Sequence, residues 1–238
     1  MRPITHHDHH GPILSFFKAV FRLFQKKPAI VNANAVLSKP AIYVVNHAAA
    51  AGPIALTLYF PVIFVPWGHY KMTEGYCGRV RYLATEYYQG KLGYPRFLAW
   101  LVALPFAFFS IFLYRALKLI PSYPDVRVRK TLALSIEHLN QKNSLLIFPE
   151  DSTDGYLDVL NRINAGFVVL ALTYFRDTGI DVPIYPVYYH RQKNVLTIAE
   201  PVYVQNFVRQ GMARDEIALW FMERMNQLRE SVVIKAAV

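Results

Sequence analysis

An α/β fold, with a mixed, mostly parallel sheet flanked by helices, is what this sequence predicts, and three observations predict it. Two apolar runs, Ile42-Tyr43-Val44-Val45 and Ser144-Leu145-Leu146-Ile147-Phe148, stop abruptly at polar clusters: Asn46-His47 in the first, Glu150-Asp151-Ser152-Thr153 in the second. Continuous apolar runs of this length fit strands covered on both faces. Helical periodicities separate these runs, so strands alternate with helices. Finally, Val182 to Tyr189 and Val195 to Ala199, divided by Arg191-Gln192-Lys193-Asn194, read as a hairpin and add an antiparallel pair.

Taken in order, the chain begins with His6, His7, His9 and His10 around Asp8. A tract like this reads as a solvated tail and is assigned no metal. Ile13 to Lys27 sets Phe16, Phe17, Val20, Phe21, Leu23 and Phe24 against Lys18, Arg22, Lys26 and Lys27. That composition suits an amphipathic helix lying among lipid headgroups. Residues 1–35 are therefore read as a tail and membrane-associating helix, and 36–238 as a single domain of ordinary size. Gly52-Pro53 opens a helix after the first strand. Val62 to Pro66 is a short strand, with Trp67, His69, Tyr70 and Lys71 just past its end. Phe97 to Tyr114 runs eighteen residues without a charge, between Arg96 and Arg115. By length it stands at the threshold for crossing a bilayer. A single crossing would put His47 and Glu150 on opposite sides, so a kink at Pro105 with monotopic attachment, or a buried helix pair, fits better. Ala116 to Ile120 is read as a strand, Val126 to Gln141 and Val159 to Phe175 as helices, and Ala213 to Glu230 as a closing amphipathic helix.

Charge and cysteine usage narrow the function classes. The net charge is +10, and residues 1–130 hold sixteen Lys and Arg against four acids. A basic half rich in aromatics suits an anionic surface. With 54% hydrophobic residues and no zinc-finger, RNP or helix-turn-helix pattern, that surface is membrane and no nucleic acid is expected. The lone Cys77 excludes an internal disulfide framework, fits a reducing compartment and is expected to be buried. The start shows no cleavable secretory-signal pattern.

In open α/β sheets ligands bind beyond the carboxyl ends of strands, which is where both polar clusters fall. Asn46-His47, Phe148-Pro149-Glu150 and Val182-Pro183-Ile184-Tyr185-Pro186 stand in the order and at the spacing of three motif blocks of the lysophosphatidic acid (1-acylglycerol-3-phosphate) acyltransferases, a family that residues 36 to 206 resemble. The resemblance implies an acyltransferase at the cytoplasmic face, peripheral or monotopic, with no bound cofactor. It would move an acyl group from acyl-CoA or acyl carrier protein to a hydroxyl of a lysophospholipid or a glycerol-phosphate-like acceptor. It further implies that His47 is the general base and that Pro149, Glu150 and Ser152 bind the acceptor. Second-rank candidates are Asn46, His69, Lys71, Arg127 and Arg129.

The departures from the family pattern sit at the chemistry. The aspartate that follows the family's histidine falls on Gly52, the glycine of the third block on Asp151 and its arginine on Thr153. The arginine of the second block falls on Pro124. Asp151 is the expected substitute for orienting His47. The rival expectation is a catalytically inactive lipid-binding descendant of the same fold.

Overall fold

The structure is a computed structural model that describes residues 12–151 and 155–235. The His-rich tail, Ser152, Thr153 and Asp154 lie outside the described residues. Helix α1 (Pro12–Arg22) leads to strands β1 (Ala29–Asn32) and β2 (Ile42–Val45), helix α2 (Ala51–Tyr59) and strand β3 (Phe64–His69). A 3₁₀ turn (Tyr70–Thr73), helix α3 (Tyr76–Arg81), a π-helix (Tyr82–Lys91) and helix α4 (Arg96–Ala116) come next. The chain continues through β4 (Ile120–Ser122), α5 (Val128–Asn140), β5 (Ser144–Ile147) and α6 (Gly166–Thr178). It closes with β6 (Ile184–His190), β7 (Val195–Ile198), α7 (Val204–Val208) and α8 (Arg214–Lys235).

Among the described residues the sheet has seven strands in the order β1-β7-β6-β2-β5-β3-β4. Every neighbouring pair is parallel except β6–β7. The mixed, mostly parallel sheet is thus the one the sequence predicts. Residues of β2 alternate between its faces. Ile42 and Val44 pack with Phe167, Leu170 and Phe221 of α6 and α8, whereas Tyr43 and Val45 pack with Leu56 of α2 and with Tyr185 and Val187 of β6. All four β2 residues are fully buried, which explains why this stretch is continuously apolar.

A third cluster lies off the sheet. Ala99, Ala103, Ala107 and Ser110 form a small-residue stripe along α4 that meets Val80, Tyr82, Leu83, Ala84 and Tyr88. The opposite face of α4 exposes Phe97, Leu101, Leu104, Phe108, Phe109 and Phe112. The helix is long and apolar enough to cross a membrane. It lies between β3 and β4, neighbours in the same sheet, and packs on α3 and the π-helix as one of a helix pair. Buried Arg79 fastens the pair by donating to the carbonyls of Met72, Glu74 and Ala107 at 2.9, 2.6 and 2.8 Å.

Several boundaries differ from the sequence reading, each for a local reason. β1 is an unforeseen edge strand, four exposed residues paired only to β7. β3 runs on to His69, so Trp67 and His69 belong to the strand. α4 extends to Ala116 and the chain leaves it through Lys118 at φ 53°, which delays β4 to Ile120. Residues 159–165 are not helical. Asn226 of α8 occupies both backbone groups of Leu160, at 2.9 Å each, and Ile163 bridges Glu150. Cys77 is exposed, because Arg79 and Val80 take the inward positions of α3.

Candidate active site

β2 and β5 are adjacent and parallel, with Val44 opposite Ile147. Three residues on, that register brings His47 level with Glu150. The alignment is closed by a hydrogen bond, in which the His47 backbone N–H donates to Glu150 Oε2 at 3.0 Å. Asn46 clamps β2 to β6, its Nδ2 donating to the Tyr189 carbonyl at 3.1 Å and its Oδ1 accepting from the Tyr189 N–H at 2.7 Å. The Pro149 carbonyl accepts from the Asn164 backbone at 2.8 Å, which folds the following loop back over the strand end.

The His47 ring is held between aromatics. It stacks on Tyr156 with centroids 4.5 Å apart and leans on Phe148 at 4.8 Å. Its Nδ1 is buried, with no hydrogen-bond partner among the described residues. Burial pushes the imidazole pKa down to about 4, the Lys91 charge adds to that, and the backbone of Ala49 pulls the other way. The ring is therefore neutral at physiological pH. The Glu150 carboxyl is raised by burial, against the N–H groups of His47 and Leu157 and the charge of Lys91. Lys91, at the end of the π-helix, lies 5.6 Å from the Tyr156 ring centre. Burial lowers its pKa, opposed by Asp151, Glu150 and Glu86.

The loop after His47 has no room for the aspartate of the family pattern. Ala48 and Ala49 both take left-handed conformations, φ 47° and 55°, a strain of about 1–3 kcal/mol per residue. This doubles the chain back so closely that a Cβ at Gly52 would lie 2.2 Å from the His47 carbonyl oxygen. Glycine is what this backbone requires.

His47 opens on a cavity of about 480 Å³ between the sheet and the helix pair, lined also by Phe64, Trp67, Leu83, Phe106 and Phe148. That volume falls within the ~300–1,000 Å³ of small-molecule sites. α1 contributes Lys18 and Phe21 to the lining. Burial first and Arg22 second bring the Lys18 ammonium down to about 8.

The structure brings together Asn46, His47, Pro149 and Glu150. Asp151 follows directly, its N–H donating to the Arg162 carbonyl at 3.3 Å and its charge acting on Lys91. Among the described residues the His47 Nδ1 has no hydrogen-bond partner. Ser152 lies outside the described residues. His69 also lines the cavity, stacked on Tyr82 at 4.5 Å, but is exposed. Lys71 pairs with Glu86. Arg127 is held by Asp125 and sits between the rings of Tyr70 and Tyr123, outside the cavity lining, and Arg129 is exposed. Sequence reasoning missed Lys91, Tyr156 and Lys18 as parts of the site. The basic, aromatic character of the first half hinted at Lys18 and Lys91, and nothing in the sequence pointed to Tyr156.

No protein-family model and no curated protein sequence matches the chain. Among solved structures it is similar to the crystal structure of the 1-acyl-sn-glycerophosphate (LPA) acyltransferase PlsC from Thermotoga maritima, with 16% sequence identity and a TM-score of 0.56 over 92% of this chain and 78% of that one. The mixed sheet with its flanking helices is thus the fold of a glycerophosphate acyltransferase.

Proposed function

We propose that this protein is a membrane-associated acyltransferase that moves a fatty acyl group from acyl-CoA or acyl carrier protein to a hydroxyl of a glycerophospholipid-type acceptor. The observation that carries the reading is a neutral histidine, level with a carboxylate at two adjacent strand ends, opening on an apolar cavity. An alcohol needs a base to become a nucleophile near neutral pH, and imidazole is suited to that task. With Nδ1 sealed, Nε2 is the nitrogen within reach of substrate. It takes the acceptor's hydroxyl proton as the oxygen attacks the thioester carbonyl. The C–S bond then breaks, and the imidazolium returns the proton to the departing thiolate. The acyl chain lies in the cavity.

Lys91, beside Glu150, replaces the missing arginines as the contact for the acceptor's anionic group. Association with the membrane uses the outward apolar face of α4 together with Phe16, Leu23 and Phe24, with Lys18 and Arg22 near the headgroups.

A second reading, a lipid-binding protein without catalysis, draws support from Gly52. The backbone leaves no room for a carboxylate at position 52, and the burial of His47 disfavours the imidazolium. Transfer of radiolabelled acyl groups from acyl-CoA and acyl carrier protein to lysolipids and glycerol phosphate, wild type against His47→Ala, separates the two. Activity lost in the variant supports the enzyme. Lipid binding without transfer in wild type supports the alternative.

A further inference from the structure

The cavity carries His47 and His69 among apolar residues on its sheet side and phenols on the other. The π-helix supplies Tyr82, Tyr87 and Tyr88 to its lining, and α4 supplies Tyr114. A π-helix repeats its hydrogen bonds at i→i+5, so Tyr82 comes round over Tyr87, where the 3.6-residue turn of an α-helix would splay them. Ten residues of π-helix are unusual, and such geometry is frequent at functional sites.

None of these four hydroxyls has a hydrogen-bond partner among the described residues, and none is sealed inside packed protein as the Tyr43 hydroxyl is. They open onto the space they line. Burial raises Tyr82 and Tyr88 to about 12, so both remain O–H donors at physiological pH. A wall built only for an alkyl chain gains nothing from four phenols, because a hydroxyl withdrawn from water without a partner is unfavourable. The outward face of α4, away from this cavity, uses Phe97, Phe108, Phe109 and Phe112, and Tyr114 is the only tyrosine of that helix.

We propose that this cavity selects a fatty acyl chain bearing an oxygen substituent, a hydroxyl or oxo group, along its length, bound by the hydroxyls of Tyr82, Tyr87, Tyr88 and Tyr114. The assignment rests on the acyl-transfer reading of the same cavity and names the class of acyl group. Phenols donate to either substituent and accept from the hydroxyl. A site built to hydrogen-bond a substrate oxygen discriminates against the analogue lacking it, because its own polar groups are then left unpaired.

Trp67 lines the cavity and reports occupancy by its fluorescence. Wild-type protein is titrated with hexadecanoic acid and with a positional series of its monohydroxy isomers. At least one isomer binds about tenfold tighter than the parent acid, the worth of one net hydrogen bond. Tyr87→Phe combined with Tyr114→Phe removes that preference by weakening the favoured isomer, while hexadecanoic acid, no longer facing unpaired hydroxyls, binds at least as tightly as to wild type. Equal or weaker binding of every isomer to wild type overturns the proposal, and that arm needs no variant to fold. Acyl transfer measured in parallel distinguishes the two readings. A hydroxyl preference without transfer from any donor retains the ligand class and removes the enzyme. Transfer with no preference among donors retains the enzyme and overturns the ligand class.

Discussion

His47 and His69 are near twins in environment and differ in what surrounds their nitrogens. Each follows or ends a parallel strand, each stacks on a tyrosine with centroids 4.5 Å apart, each lines the same cavity, and each is brought down to about 4 with burial as the first cause. His69 is exposed, so water moderates that shift. Its Nδ1 accepts from the Lys71 N–H at 3.4 Å, which caps the 3₁₀ turn and places the ring proton on Nε2. His47 has its backbone tied to Glu150 and its Nδ1 sealed. The comparison teaches that a low pKa and a cavity position do not make a base. What separates the two rings is which nitrogen is left to meet a substrate, and which charged groups stand beside it.

Substitution at each ring tests this most sharply. His47→Ala lowers acyl transfer by about 10²–10⁴-fold, the usual share of a general base, while His69→Ala leaves the rate within a factor of a few. Equal losses would erase the distinction between the rings. A second test concerns the loop that carries His47. Gly52→Ala destabilises the fold by about 1–3 kcal/mol through its clash with the His47 carbonyl, and Gly52→Asp by more, so replacing the carboxylate of the family pattern lowers activity. Thermal unfolding reads the first effect and the transfer assay the second.

Glu150→Ala orphans the backbone N–H groups of His47 and Leu157 at about 1–3 kcal/mol each, whereas Glu150→Gln keeps an acceptor oxygen and is milder. Denaturant titration of the two variants should rank them in that order.

The smallest effect is on pH dependence. A folded pKa of about 4 against an ordinary 6.5 means the unfolded chain takes up the proton first as pH falls. The stabilisation from neutral His47 is complete above 6.5 and is lost between 6.5 and about 4. His47→Gln removes its share of that slope. In kinetics the wild-type acid limb does not bend at 6.5, because His47 stays a free base down to about 4. The raised Glu150 carboxyl titrates on the same acid side, and Glu150→Gln separates its contribution.

Much of this was legible in the sequence. Buried strands are continuously apolar, so β2, β5 and the β6–β7 hairpin announced themselves, and the polar residues that ended β2 and followed β5 marked the candidate site. What escaped follows from contacts distant in the chain. β1 is short and exposed, so no hydrophobic pattern records it. The π-helix has no composition of its own, and Lys91 comes over the Tyr156 ring only because of how that helix ends. The delayed start of α6 depends on Asn226 far along the chain. The left-handed Ala48-Ala49 turn is unexpected on propensity, since alanine disfavours that region, and only the backbone reveals that Gly52 is demanded by space.

Cys77, exposed on the helix pair and the sole cysteine of the chain, gives the molecule a single chemical handle at a useful place. A nitroxide or fluorophore attached there needs no other thiol removed. It sits on α3 beside the helix that presents its phenylalanines outward, far in sequence from His47. Its quenching by polar and apolar collision agents would therefore record how deeply that end of the protein settles into a lipid surface.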